Sequence, residues 1–318
     1  MIKDLDVICI GAALVDMVAK VERHPLEDDE VFVSNLKLLS GGAAANTAYA
    51  CAKLGLKTAF IGKLGYNDEF GNKIISDFKK VSLNTSLIKY SKDHGTGSAY
   101  VALDPLGNRR IYAHSGAANY LSKEDIVSEE ILRGKIIYLS SLKNIESFIE
   151  AAKIAGENDI PVILNPGMLI IDQGFDNVIQ LFEKIEILIL SQREYKTLLN
   201  IQNPKLSEKV ILNNSNILLK LGIKVIIITM GNKGAFLINE NNIAIIPANK
   251  VKNIIDTTGA GDAFSAGFIY RFVHHLNYKF KELKLDVELG NFIAGRCIQK
   301  LGARIGIPSS NGLLNFIE

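Results

Sequence analysis

The chain has 318 residues, 48% of them hydrophobic and 22% charged, and carries a formal net charge of +2. That balance suits a globular protein with a large core, and it gives no electrostatic case for binding nucleic acid or a membrane surface. No apolar run reaches the ~20 residues needed to span a bilayer. The three cysteines, Cys9, Cys51 and Cys297, show no CxxC spacing, so reduced thiols in a cytoplasmic protein are expected.

The predicted elements follow in chain order. Lys3, Asp4 and Asp6 precede VICIGAALV (7–15), which reads as a buried first strand and not as a signal peptide. Residues 16–39 hold DMVAKVERHP and VFVSNLKLLS, which alternate in strand fashion with no helix between them. NTAYACAKLG (46–55) has helical spacing, TAFIG (58–62) reads as a strand, and FGNKIISDFKK (70–80) as a helix. Between 97 and 115, SAYVALD and RRIYAHS flank DPLGN, a good hairpin turn. Buried strands follow at KIIYLS (135–140), PVILN (161–165), EILIL (186–190) and KVIIITM (224–230), with a helix at IESFIEAAKIAGEN (145–158). NNSN (213–216) and NENN (239–242) read as loops. Strands alternating with helices imply parallel βαβ units, hence an α/β sheet covered on both faces. The antiparallel excursions at about 16–39 and 97–115 predict a small β lid built from two insertions; edge strands of the main sheet are the alternative. With no repeat or long linker, residues 1–318 read as a single domain.

The most informative stretch is IIDTTGAGDAFSAGF (254–268). A helix start leaves backbone N–H groups without internal partners, and the helix dipole makes that end positive. Glycine lets an anion approach closely, so Gly259, Ala260 and Gly261 read as a cradle for phosphate or an oxyanion. A carboxylate beside a bound phosphate would be repelled. Asp262 therefore makes sense as the group that takes a proton from a hydroxyl attacking phosphorus. On these residues alone a helix cap above a tight glycine turn stays open. Other motifs are missing: Phe264 occupies the third glycine position of GxGxxG, and there is no GxxxxGK[ST], kinase HRD/DFG set, HExxH or GxSxG.

DTTGAGDAF (256–264) resembles the C-terminal motif of the ribokinase-like, or PfkB, carbohydrate kinases. SGGAAANTAYACAKLG (40–55) resembles their N-terminal motif, GAALVD (11–16) their first strand, and HSGAAN (114–119) their returning lid strand. LNPG (164–167), SQRE (191–194) and TMGNKG (229–234) fall in the same order. The resemblance covers nearly the whole chain. It implies a three-layer α/β sandwich with a central, mostly parallel sheet and a small β lid, often dimerised through that lid.

The resemblance also implies roles. Asp262 would be the general base, and Gly259, Ala260 and Gly261 the anion hole for the γ-phosphate of ATP. Asp16, Gly41, Gly42 and Asn46 would hold the hydroxyls of a sugar or sugar-like substrate. Thr229, Gly231 and Gly234 would lie against ATP, and Asn291 near the adenine. Glu194 would help order Mg²⁺, while Asp256, Thr258 and backbone groups near Ala303 would hold a monovalent cation such as K⁺. From their place on the lid, residues such as Tyr100, Arg110 and Tyr112 are expected to help choose the substrate, with strand register deciding which of them point inward.

Three departures stand out. Ser191 replaces an asparagine common in the family, Ala43 stands where ribokinases have lysine, and no acid lies near Ser141 and Leu142. The last two count against free ribose. GGAAANTA, NPG and SGAA are more similar to archaeal-type nucleoside kinases. The expected activity is ATP-dependent phosphorylation of a primary hydroxymethyl on a pentose- or hexose-type substrate. The alternatives are a nucleoside kinase and a catalytically silent nucleotide- or sugar-binding regulator.

Overall fold

The computed structural model describes residues 3–106, 108–203 and 206–313. Its strands, in chain order, are β1 (Val7–Gly11), β2 (Leu14–Val21), β3 (Val33–Gly41), β4 (Thr58–Ile61), β5 (Lys63–Gly65), β6 (Lys89–Ser91), β7 (Thr96–Leu103), β8 (Arg109–Gly116), β9 (Ile137–Ser140), β10 (Val162–Asn165), β11 (Ile187–Ser191), β12 (Val225–Thr229), β13 (Ala235–Ile238) and β14 (Ile243–Ile246). Eight form one sheet in the order β14-β13-β12-β11-β10-β9-β1-β4. It is parallel from β4 to β12 and antiparallel over the last two strands.

The apolar strands are buried on both faces, as parallel strands crossed by helices must be. Along β11, Ile187 and Ile189 enter one core while Leu188 and Leu190 enter the other. Along β12, Val225 and Ile227 alternate in the same way with Ile226 and Ile228. One core is closed by helices Ala43–Leu54, Glu69–Lys79, Ala260–Phe272 and Phe280–Cys297, the other by helices that include Glu146–Gly156, Phe175–Phe182 and Glu208–Leu219. Each fully buried Ile or Leu contributes roughly 1.5–3 kcal/mol, so the two cores are what hold the three layers together.

The second sheet has the order β3-β2-β7-β8. β2 pairs antiparallel with β3 and parallel with β7, and β7 pairs antiparallel with β8. Both excursions therefore join one separate sheet and are not edges of the main one. At the β7–β8 turn Asp104 Oδ1 accepts from the amides of Leu106 and Asn108, each at 2.9 Å; Gly107 of the expected DPLGN turn lies outside the described residues.

Two sequence expectations are corrected. The run 7–15 is not one strand: it breaks after Gly11 and restarts at Leu14 in the other sheet. NNSN (213–216) is not a loop but lies inside helix Glu208–Leu219. Ile211, Ser215 and Leu218 are spaced to point inward together, and all three are buried. Ser215 bonds Tyr195 Oη at 2.9 Å, and Asn214 Nδ2 bonds the carbonyl of Val210 at 2.7 Å, so both polar side chains have partners within the fold. The helix Phe280–Cys297 and the hairpin β13–β14 carried no clear signal in the sequence; NENN (239–242) is the turn of that hairpin.

Candidate active site

Helix Ala260–Phe272 starts at the point where Gly259 takes a left-handed conformation, φ 75°. A Cβ on Gly259 would stand 2.3 Å from Ala303 Cβ, so only glycine fits the turn. The first bond of the helix runs from the Ala263 amide to the Gly259 carbonyl at 2.9 Å. The amides of Gly261 and Asp262 precede it and have no carbonyl within the helix to meet. Gly261 is exposed, with open space where a Cβ would stand. Of the three residues expected to cradle an anion, Ala260 already gives its N–H to the Thr257 carbonyl at 3.3 Å, so the amides free to meet one are those of Gly261 and Asp262.

Asp262 lies half-buried in the first turn. Its Oδ2 accepts from Asn46 Nδ2 at 3.0 Å. Asn46 Oδ1 in turn accepts from Arg304 Nε at 2.9 Å. Burial pushes the Asp262 pKa up to about 7, although the bond from Asn46 and the charge of Arg304 oppose it. A carboxyl poised near neutrality suits general-base work.

Asp16 projects from β2 in the other sheet. Burial raises its pKa to about 6, again against the charge of Arg304. Gly41 leaves room for the Asp16 side chain, while Gly42 lies against the Ala12 backbone. A Cβ on Gly41 would lie 2.3 Å from Asp16 Oδ2, and one on Gly42, at φ 92°, would lie 2.4 Å from the Ala12 carbonyl. Gly42 also opens helix Ala43–Leu54, whose buried face presents Asn46. Asp16, the glycine pair, Asn46 and Asp262 thus form one connected group.

The nucleotide-side candidates sit at the C-terminal ends of β11 and β12. Ser191 caps helix Gln192–Leu198: Glu194 N–H donates to Ser191 Oγ at 3.2 Å, and Ser191 N–H donates to Glu194 Oε2 at 2.7 Å. This capping box explains a serine at that position. Thr229 Oγ1 donates to the Leu190 carbonyl at 3.3 Å. Gly231, at φ 60°, has open space where a Cβ would stand. Gly234 has a packing reason instead: its Cβ would lie 1.9 Å from the Ile246 carbonyl. Asn291 is buried, and its amide donates to the carbonyls of Ile246 and Pro247 at 3.1 and 3.0 Å, bracing the end of β14.

Asp256 ties two loops together. Its Oδ1 accepts from Thr258 N–H at 3.0 Å and from Thr258 Oγ1 at 2.7 Å, while Oδ2 accepts from Gly302 N–H at 2.8 Å. The carbonyls of Thr258 and Ala303 both face the Cys297 thiol.

Between these loops and the second sheet lies a cavity of about 540 Å³. Asp16, Val18, Val101, Leu103 and Ile111 line its sheet side. Register fixes that set, because directly paired residues point the same way. Val18 pairs with Val101, and Val101 with Ile111. Met17 pairs with Tyr100, and Tyr100 with Tyr112, on the opposite face. Arg110 shares that opposite face through Ala102 and Ala19. The register that the sequence left open thus turns Tyr100, Arg110 and Tyr112 away from this cavity. Arg109 lines it, and its Nη1 donates to Thr258 Oγ1 at 3.2 Å, joining the lid to the anion-cradle loop. Sequence reasoning missed Arg304 altogether; its one signal was a lone arginine between small residues in GARIG.

A three-layer α/β fold with a β lid, and a carboxyl in the first turn of a glycine-started helix, are the features of the ribokinase-like phosphotransferases. The chain belongs to the pfkB family of carbohydrate kinases, whose profile matches residues 4–310. It is 30% identical over 305 residues to a ribokinase of Staphylococcus aureus, covering 95% of this chain and 96% of that one. It is 24% identical over 311 residues to a nucleoside kinase of Methanocaldococcus jannaschii, covering 98% and 96%. Among solved structures, Arabidopsis thaliana ribokinase complexed with ribose and ATP superposes with a TM-score of 0.86 at 25% identity, over 100% of this chain and 99% of that one. The protein is an ATP-dependent kinase of the sugar and nucleoside kinase group.

Proposed function

We propose that the protein transfers the γ-phosphate of ATP to a primary hydroxymethyl group of a pentose- or hexose-type sugar. The observation that carries this reading is the placement of Asp262 beside the unpaired amides of its own helix start and in hydrogen-bond contact with Asn46. Asp16 and Asn46 hold the acceptor's other hydroxyls, since a carboxylate accepts from two and an amide both donates and accepts. Asp262 takes the proton of the attacking hydroxymethyl oxygen. That oxygen forms the new bond to the γ-phosphorus as the bond to the ADP oxygen breaks, and the amides at the helix mouth stabilise the charge on the transferred group. The lid shields the reacting centre from water.

Magnesium binds through one or two carboxylates together with phosphates and waters. Glu194, with only Oε2 committed to the capping box, fits that requirement. The ion, when bound, neutralises charge on the phosphates. Asp256 with the Thr258 and Ala303 loops offers only oxygen donors, a chemistry that fits K⁺. We further propose a homodimer formed through the outer lid face, where Leu36, Leu38 and Tyr112 are exposed.

A nucleoside is the second reading, favoured by the cavity itself: Val18, Leu39, Val101, Leu103 and Ile111 surround Asp16 with apolar surface suited to a flat base. ADP release with Mg²⁺-ATP and potassium, across free pentoses, hexoses and nucleosides, decides. Turnover on a free sugar supports the first reading. Turnover on nucleosides alone replaces it with the second. Silence on every acceptor with ATP still bound favours a binding regulator.

A further inference from the structure

Arg304 is an unusual charge to find in this interior. It is 9% exposed, and among the described residues neither Nη1 nor Nη2 has a hydrogen-bond partner. Its guanidinium carbon lies 5.0 Å from the ring centre of Tyr49 and 5.5 Å from that of Phe78, so two aromatic faces hold the cation in place. Its Nε donates to Asn46 Oδ1 at 2.9 Å. A buried, mostly unpaired guanidinium is expensive to keep, which calls for a reason.

The reason lies in the ambiguity of an amide. Asn46 could present either its oxygen or its nitrogen to Asp262. Arginine only donates, so Arg304 Nε must meet Oδ1, and Nδ2 is turned toward the carboxylate. Asp262 Oδ2 is then occupied, and Oδ1 is the oxygen left for the acceptor hydroxyl. We propose that Arg304 is a positioning residue for phosphoryl transfer, which through Asn46 fixes the orientation of the Asp262 carboxyl and by its charge favours the ionised form of that carboxyl. The idea rests on Asp262 being the base.

The surroundings of Asp262 leave Arg304 as the cation that does this. Glu194, from helix Gln192–Leu198, disfavours its ionised form. Tyr138 of β9 and Cys297 of helix Phe280–Cys297 each face the charge of Asp262 and are held protonated, chiefly by burial. Thr47 donates to its backbone carbonyl at 3.4 Å. Arg304 is faced in turn by Asp16, Asp77 and Tyr49. Asp77 is answered by Lys73 and Lys80, at 3.0 and 2.6 Å. The competing account makes Arg304 a rivet, holding the loop after helix Phe280–Cys297 against helix Ala43–Leu54; its own carbonyl does accept from Lys53 Nζ at 3.3 Å.

The test compares the full-length wild type with Arg304→Met, which removes charge and donor, and Arg304→Lys, which keeps charge but not the fork. Aspartate is labelled with ¹³C at the carboxyl, and the Asp262 resonance is identified by its loss in Asp262→Asn. Arg304→Met should move the titration of that resonance upward by about one pH unit, a tenfold change in the ionised fraction on its acid side. The acid limb of kcat/KM should move with it, while the affinity for ATP stays put. Arg304→Lys should titrate near wild type yet lose kcat, because Asn46 is no longer held. A titration unmoved in folded Arg304→Met overturns the proposal and leaves the rivet. Should that variant fail to fold, Arg304→Gln, neutral and similar in shape, is read by the same two outcomes. The titration needs no turnover. If it shifts while kcat/KM does not follow, Asp262 is not the base, and the mechanism fails separately from the electrostatic link.

Discussion

Asn46 Nδ2 and Asp262 Oδ2 meet at 3.0 Å across 216 positions of sequence. That single bond joins the helix opened by the glycine pair to the helix opened by Gly-Ala-Gly, and it sets the amide we propose for acceptor binding against the carboxyl we propose as base. Asp262→Asn keeps the shape and a possible bond to Asn46 but cannot take a proton. The variant should lose kcat by about 10²–10⁴, the usual worth of a general base, with the Kd for ATP unchanged by calorimetry. Near-normal turnover would mean that another group is the base.

Burial has a second consequence for Asp262. Its pKa in the fold is about 7 against 3.8 in a free chain, so the folded state holds a proton that the unfolded chain releases between these values. Stability therefore falls as pH rises through that window, the reverse of the usual salt-bridged carboxylate. Asp16, raised to about 6, acts in the same direction. The thermal midpoint of the wild type should drop between pH 5 and pH 8, and that of Asp262→Asn should drop less. Activity should run the other way, with kcat/KM rising through about pH 7 as the base ionises. Parallel midpoint curves for the two proteins would show that the Asp262 carboxyl is not strained by burial.

The glycine pair separates function from folding. A methyl on Gly41 would meet the tip of the Asp16 side chain, which can swing aside. Gly41→Ala should therefore fold but bind acceptor poorly, raising its KM about tenfold or more, equivalent to ~1.4 kcal/mol. A methyl on Gly42 would meet the Ala12 backbone, which cannot yield, and would do so at φ 92°. Gly42→Ala should destabilise the whole protein by about 1–3 kcal/mol, read by denaturant unfolding. Equal effects of the two substitutions on both readouts would refute this division.

These contrasts mark what the sequence could show. The β-branched runs and the helical spacing between them carried the main sheet, because strands buried on both faces must be apolar throughout. GAGD marked a helix start behind a glycine turn, and the structure puts one there with Gly259 at φ 75°; a helix cap and a catalytic acid read alike in those four residues. Side-chain direction on the lid was not legible. A period of two assigns Tyr100 and Val101 to opposite faces without saying which face meets the cleft, and only the pairing of Val18 with Val101 decides. Nor was Arg304, whose partners Asn46, Tyr49 and Phe78 lie more than two hundred residues away in sequence and come from two different helices. Ser191 looked like a lost ligand until the capping box with Glu194 gave it a local role. Ser191→Ala should cost about 1 kcal/mol of stability by loss of that cap, measurable as a lower denaturation midpoint.

The lid offers the last prediction. Leu38, Met17, Tyr100 and Tyr112 form one cross-strand row on the face turned away from the cavity, with Leu38 45% and Tyr112 69% exposed. Leu36 stands beside the row, 57% exposed. A contiguous apolar face of this kind marks an interface, and a second lid could cover it with matching rows. Leu38→Lys with Tyr112→Lys would place charges in that contact without touching Asp16 or the cavity on the other face. Light scattering should give twice the 34.8 kDa chain mass for the wild type and a single chain mass for the double variant. A wild type that scatters as one chain at micromolar concentration would refute the homodimer. If the dimer persists in the double variant, the contact lies elsewhere, because four buried lysine ammonium groups, two from each chain, would not be tolerated at its centre.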